Sequence, residues 1–162
     1  GGRLVMQVHY NLNSHAAEPD LSTLQLWTHK QQPKWLVHAE PLANLGIVIP
    51  AGEKSSKHDK TWTNKSKSPW TIVGTTPHMH QLGKRIAVSH IDGKGGEHCL
   101  VDIPKWDFHW QQTYLFQSPA TVAVGQSVRL LCTYDNSAAN QPIIGGKQGT
   151  PKDVKWGAPL IH

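Results

Sequence analysis

The sequence predicts an all-β fold, an antiparallel β-sandwich of jelly-roll type, on three observations. Short runs rich in Val, Ile, Leu, Thr and Trp recur from end to end. Gly, Pro, Asn and Ser punctuate them, and no segment keeps apolar residues at i, i+3, i+4 and i+7 long enough for a helix. Taken in order, strands are expected over 3–10, 22–29, 35–39, 45–49, 70–75, 77–81, 84–91, 98–103, 113–116, 121–124 and 127–134. Their turns are Pro50-Ala51-Gly52-Glu53, Asp92-Gly93-Lys94-Gly95-Gly96 and Val124-Gly125-Gln126. Many short strands joined by such turns build a sandwich. From Asn136 onward the character changes. Asn140-Gln141-Pro142, Gly145-Gly146 and Gly149-Thr150-Pro151 are not expected to form a strand, and there is no internal repeat.

The bulk properties bound the function. At 162 residues the chain suits a single domain over 1–162. Charged residues make up 17% and hydrophobic ones 38%, which excludes a disordered tail. No run approaches the ~20 apolar residues of a transmembrane helix, so no membrane partner is expected. The chain opens Gly1-Gly2-Arg3 and passes into Leu4-Val5-Met6, which places any targeting segment upstream. A net charge of +5 invites a nucleic-acid reading, but the lysines are scattered. Their densest group, Lys54 to Lys67, lies in a Ser/Thr/Asn-rich stretch expected to be a solvated loop. With neither a basic helix nor an aromatic RNA-binding strand, no nucleic-acid partner is expected. Eleven histidines are the stronger anomaly, because histidine is the commonest metal ligand among side chains. Cys99 and Cys132 could form one disulfide but make no framework.

The sharpest local feature is Thr76-Pro77-His78-Met79-His80-Gln81-Leu82-Gly83-Lys84. On a strand, residues i and i+2 share a face roughly 6.5–7 Å apart at Cα. His78 and His80 can therefore converge on one metal ion while Met79 turns to the other face. Gly83 permits the bend into the strand that begins at Lys84. A pair of surface histidines would give the same pattern. His9 sits in the alternating, apolar run Val5-Met6-Gln7-Val8-His9-Tyr10. A buried imidazole must be hydrogen-bonded or ligated to offset its desolvation, so a satisfied core histidine and a ligand both fit. Trp106 and Trp110 could form a sugar-stacking platform or a packing surface.

In this order, Val5-Met6-Gln7-Val8-His9-Tyr10, Val48-Ile49-Pro50-Ala51-Gly52-Glu53 and His78-Met79-His80-Gln81-Leu82-Gly83-Lys84 resemble the copper type II, ascorbate-dependent monooxygenases. That family includes peptidylglycine α-hydroxylating monooxygenase and dopamine β-monooxygenase. Trp106-Asp107-Phe108-His109-Trp110-Gln111 and Cys132-Thr133-Tyr134-Asp135-Asn136-Ser137 look like its bacterial-type branch. The resemblance runs from Leu4 to about Gly157.

It implies the second of two jelly-roll domains in a secreted or periplasmic enzyme, cut short at both ends, whose partner is the N-terminal domain of the same polypeptide. It also implies two mononuclear coppers reduced by ascorbate, and hydroxylation of a C–H bond in a small-molecule substrate by O2. His78 and His80 match ligands of the copper that binds O2 and substrate, where imidazoles suit both copper states and a soft thioether favours Cu(I). His9 matches the third histidine of the electron-transfer copper, whose other two ligands come from the N-terminal domain. The methionine of the substrate-side copper would follow the Trp156-Gly157 segment, and His162 is reached first. These residues alone are thus expected to bind copper loosely and not to turn over.

The sequence departs from the peptide-amidating relatives at Thr76, where they carry an arginine for the substrate carboxylate. A peptide C-terminus is therefore a poor substrate candidate. Cys132 matches a family cysteine whose partner adjoins that methionine, so it is expected to be unpaired. The remaining histidines, His15, His29, His38, His58, His90, His98, His109 and His162, read as surface or loop residues. Two other readings stay open: a non-catalytic metal-binding sandwich using His78 and His80, and a metal-free carbohydrate- or protein-binding module. Metal content separates the last from the other two, and ascorbate-driven O2 consumption separates the first from the second.

Overall fold

The structure, a computed structural model, describes residues 3–8, 19, 21–28 and 30–157. His9 and the end of the first expected strand lie outside them. The chain divides into two compact units, 1–39 and 40–162. Among the described residues of the first unit there is neither strand nor helix. The expected strands at 3–10, 22–29 and 35–39 are therefore corrected wherever residues are described. Alternation makes a segment suitable for a sheet, but a strand exists only when a neighbour takes up its backbone N–H and C=O groups. Leu24, Trp27 and Trp35 in these segments are exposed.

The second unit is all-β and antiparallel. Its elements are β1 (Val48–Ile49), β2 (Ser56–Thr63), β3 (Trp70–Thr75), β4 (Gly83–Ile91), β5 (Glu97–Ile103), β6 (Tyr114–Val122), β7 (Ser127–Tyr134), a 3-10 turn at Ala138–Asn140, β8 (Ile143–Ile144), β9 (Lys147–Gln148) and β10 (Val154–Lys155). A four-stranded sheet runs β2-β7-β4-β5, and β3 pairs with β6. The inward faces of the two sheets meet over Val88, Val122 and Val128, with Trp62, Ile72 and Leu100 packed around them. A second cluster, Met79, Ile86, Trp106 and Cys132, continues that core towards one end and shares Leu130 with the first. This is a β-sandwich.

Strand β2 lies inside the lysine-rich stretch expected to be a loop. It pairs with β7 along its whole length, from Ser56↔Tyr134 to Thr63↔Ser127. As an edge strand it turns Lys57 and Asp59 outward, buries Ser56, and half-buries His58, Trp62 and Thr63. Charged residues on an edge strand discourage pairing with other chains, and here they also disguise the strand as a loop. Strand β6 merges the two segments expected at 113–116 and 121–124. Its register against β3 shifts between Ile72↔Ala120 and Gly74↔Leu115, so Pro119 falls in an irregularity that needs no ladder N–H.

The tail also forms strands. Gly145 and Gly146 have φ of 56° and 77°, the left-handed values a two-residue hairpin turn requires, and they join β8 to β9. β10 pairs with β1. The fully buried Asn136 holds this region by donating to the carbonyls of Ile49, Pro50 and Lys152 while accepting from Gln141 Nε2. Cys99 is exposed, Cys132 is buried, and both thiols are free. Burial pushes the Cys132 thiol up to about 11, only partly offset by its hydrogen bond with Tyr134, so it is a packing residue rather than a nucleophile. No helix among the described residues is long and apolar enough to cross a membrane.

Candidate metal centre

The His78–His80 segment joins the two sheets, leaving β3 at Thr75 and entering β4 at Gly83. It is extended but unpaired, not the strand expected over 77–81. Pro77 has no N–H to give a ladder, which accounts for the lost pairing; the alternation of side chains survives because it needs only extended backbone. Met79 accordingly points inward, 1% exposed, against Ile86, Trp106 and Cys132, while His78 is exposed and His80 half-buried.

Both rings lie on the outer side of this anchor. His78 Nε2 and His80 Nε2 are 3.2 Å apart, and the rings meet edge to face with centroids 4.9 Å apart. The return into β4 is tight. Gly83 N donates to His80 O over 2.9 Å. A Cβ at Gly83 would stand 2.8 Å from Trp106 Cδ1 and 2.9 Å from Met79 Cε, so glycine is required by close approach.

The loop between β5 and β6 supplies the other half of the site. Trp106 is fixed in the core, and its backbone N–H donates to Lys84 O over 2.8 Å. Asp107 shapes the following turn: Oδ1 accepts from His109 N at 2.9 Å, and its carbonyl accepts from Trp110 N at 3.1 Å. The turn sets the Phe108 ring 5.9 Å from His80. It also brings Gln111 to His78, with Oε1 2.6 Å from Nδ1, while Gln111 Nε2 donates to Phe108 O, also over 2.6 Å. Thr76 Oγ1 bonds Thr113 Oγ1 at 2.9 Å, tying the two segments together.

The donor set can be tested against a metal ion. Two imidazole nitrogens 3.2 Å apart subtend roughly 100° at an ion held about 2.0–2.1 Å from each, an angle that tetrahedral or trigonal coordination tolerates. A His/His pair suits copper in both oxidation states. Among the described residues no third His, Cys, Asp or Glu completes such a set, and Met79 is committed to the core. The pair thus fits an ion that draws further ligands from elsewhere.

The other histidines among the described residues do not join these two rings in a metal-binding group. His9 lies outside the described residues. His109 packs edge to face on Phe108 at 5.5 Å. His90 and His98 form a cross-strand pair on β4 and β5, and His58 bonds Ser56 Oγ on β2. Trp106 is buried and Trp110 exposed, so they do not form a shared stacking platform. A groove at the β2 edge, lined by Lys60, Trp62, Lys65 and Trp70, contains neither histidine of the pair. Sequence reading misses Gln111 and Phe108 as parts of the site. Both stand in the Trp106–Gln111 motif of the resemblance, but the sequence gives them no role at the site; that role appears when the fold brings Gln111 to a residue 33 positions earlier.

A family model described as copper type II ascorbate-dependent monooxygenase, C-terminal domain, matches residues 41–151, well over half of the chain and including both histidines. No curated protein matches the sequence.

Proposed function

Because the chain belongs to the copper type II ascorbate-dependent monooxygenases, matching their C-terminal domain, we propose that it forms the substrate-side copper centre of such an enzyme, with His78 and His80 as two of the ligands. The observation that carries this reading is the convergence of the two Nε2 atoms at 3.2 Å on an anchor built from Met79. Copper bound there supplies the activation of O2 for hydroxylation of a C–H bond, with electrons drawn from ascorbate. The chain's own residues hold and orient that centre. His78 and His80 present ring nitrogens, Met79 and Trp106 fix the segment from the core side, the Phe108 ring stands 5.9 Å from the His80 ring, and Gln111 bonds His78.

The second copper would be held by His9 together with histidines of an N-terminal domain, which is then the partner of this one within a two-domain enzyme. Thr76, two positions before His78, carries no charge and is tied to Thr113, which favours a small-molecule substrate without a carboxylate handle. A secreted or periplasmic site of action follows from the same family reading.

Copper titration of the intact chain, His78→Ala and His80→Ala, followed by X-ray absorption, tests the assignment. Imidazole ligation in the parent and loss of one imidazole in each variant support it; unchanged copper binding in either variant refutes it. The activity is tested by ascorbate-dependent O2 consumption with the N-terminal domain present. It should be abolished by either substitution.

A further inference from the structure

The side-chain amide of Gln111 can sit only one way round. Its Nε2 lies 2.6 Å from Phe108 O, and turning the amide over would set two acceptor oxygens against each other with no proton between them. The atom facing His78 Nδ1 at 2.6 Å is therefore an oxygen, which accepts. Nδ1 must then carry the proton, and in a neutral imidazole that leaves Nε2 with a bare lone pair. This Nε2 is the atom 3.2 Å from His80 Nε2. In water an unconstrained histidine side chain favours the opposite tautomer, so the arrangement inverts the default.

We propose that Gln111 is a positioning residue that locks His78 in the Nδ1–H tautomer, so that its Nε2 lone pair is presented in advance to an ion shared with His80. The lock is built on fixed parts. Gln111 is clamped to the Phe108 carbonyl, the turn is closed by Asp107, and Trp106 pins the base of the loop to β4. One clamp thus serves both histidines, since Phe108 faces His80 while its carbonyl steers Gln111 towards His78. The purpose of the lock rests on the copper reading above, whereas the tautomer itself does not.

Long-range nitrogen–proton correlation spectra of the metal-free intact chain, labelled at histidine and recorded where the rings are neutral, read the tautomer directly. His78 should show a protonated Nδ1 and an unprotonated Nε2. Gln111→Ala should shift it towards the Nε2–H form and weaken copper binding about 10- to 100-fold, the usual consequence of losing a partner that orients a ligand. A wild-type His78 in the Nε2–H form, or a tautomer unmoved by Gln111→Ala, overturns the proposal. An intact tautomer lock in a chain whose copper does not involve His78 would refute the copper reading and leave the lock standing.

Discussion

Met79 lies between two possible copper ligands, and its own role can be separated from theirs. Its side chain is 1% exposed and packs against Ile86, Trp106 and Cys132, beneath the segment that carries both histidines. Met79→Ala removes the chain beyond Cβ from a site where core truncations of this kind cost about 2–5 kcal/mol. The middle of that range applies here. The cavity would open under a short, unpaired connection, but Ile86 is held in β4 and Trp106 by its backbone hydrogen bond to Lys84 O, so neither readily collapses into it. A loss of about 3–4 kcal/mol should lower the thermal midpoint by roughly 10 °C for a unit of this size.

The companion variant, Met79→Leu, conserves volume and should cost less than about 1.5 kcal/mol. It deletes the sulfur, so copper affinity and the X-ray absorption spectrum of its Cu(I) form should match the parent's. Urea or thermal unfolding gives the first number, and competition against a Cu(I) chelator gives the second. A loss below about 1 kcal/mol in Met79→Ala would refute the anchoring argument. A Met79→Leu protein that is stable but has lost sulfur scattering and Cu(I) affinity would make Met79 a ligand.

Three further outcomes follow from the same geometry. Gly83→Ala forces a Cβ to within 3 Å of both Trp106 and Met79; it should cost about 1–3 kcal/mol in denaturant unfolding and shift the His78 and His80 ring signals. Asn136→Ala leaves three carbonyls around β1 and the tail short of a donor; a loss of about 2 kcal/mol or more is expected, with faster amide exchange at β10 than at β7. The hydrogen bond from His98, then those from the Gly96 and Lys94 N–H groups, lower the Asp92 carboxyl to about 2. A depressed folded pKa means that its stabilising contribution is present above the unfolded value of about 3.9 and lost as pH falls from about 4 to 2. Asp92→Asn should flatten the stability profile in that window alone, and His98→Ala should raise the Asp92 titration midpoint in carboxyl NMR.

The part of this site that sequence alone determined is the part with short range. Alternation along an extended chain needs only the backbone of consecutive residues, so His78 and His80 share a side and Met79 takes the other whether or not the segment joins a sheet. The same local rule places β3, β4, β5 and β7, whose inward residues are apolar and whose turns are glycine-marked. It fails for β2, where an edge position lets lysines and Asp59 face solvent and hides the period. It fails again in the tail, where the paired glycines that read as a break are the turn of a hairpin, and at 3–8 and 22–28, where the pattern is present but no residue pairs with these segments among the described residues. Tertiary structure alone decided the rest. Gln111 and Phe108 reach the histidines because the core fixes Trp106 at the base of their loop, and a hydrogen bond between residues 33 positions apart has no signature in either local sequence. Whether a histidine offers a lone pair or a proton depends on what touches its other nitrogen, and that neighbour is chosen by the fold.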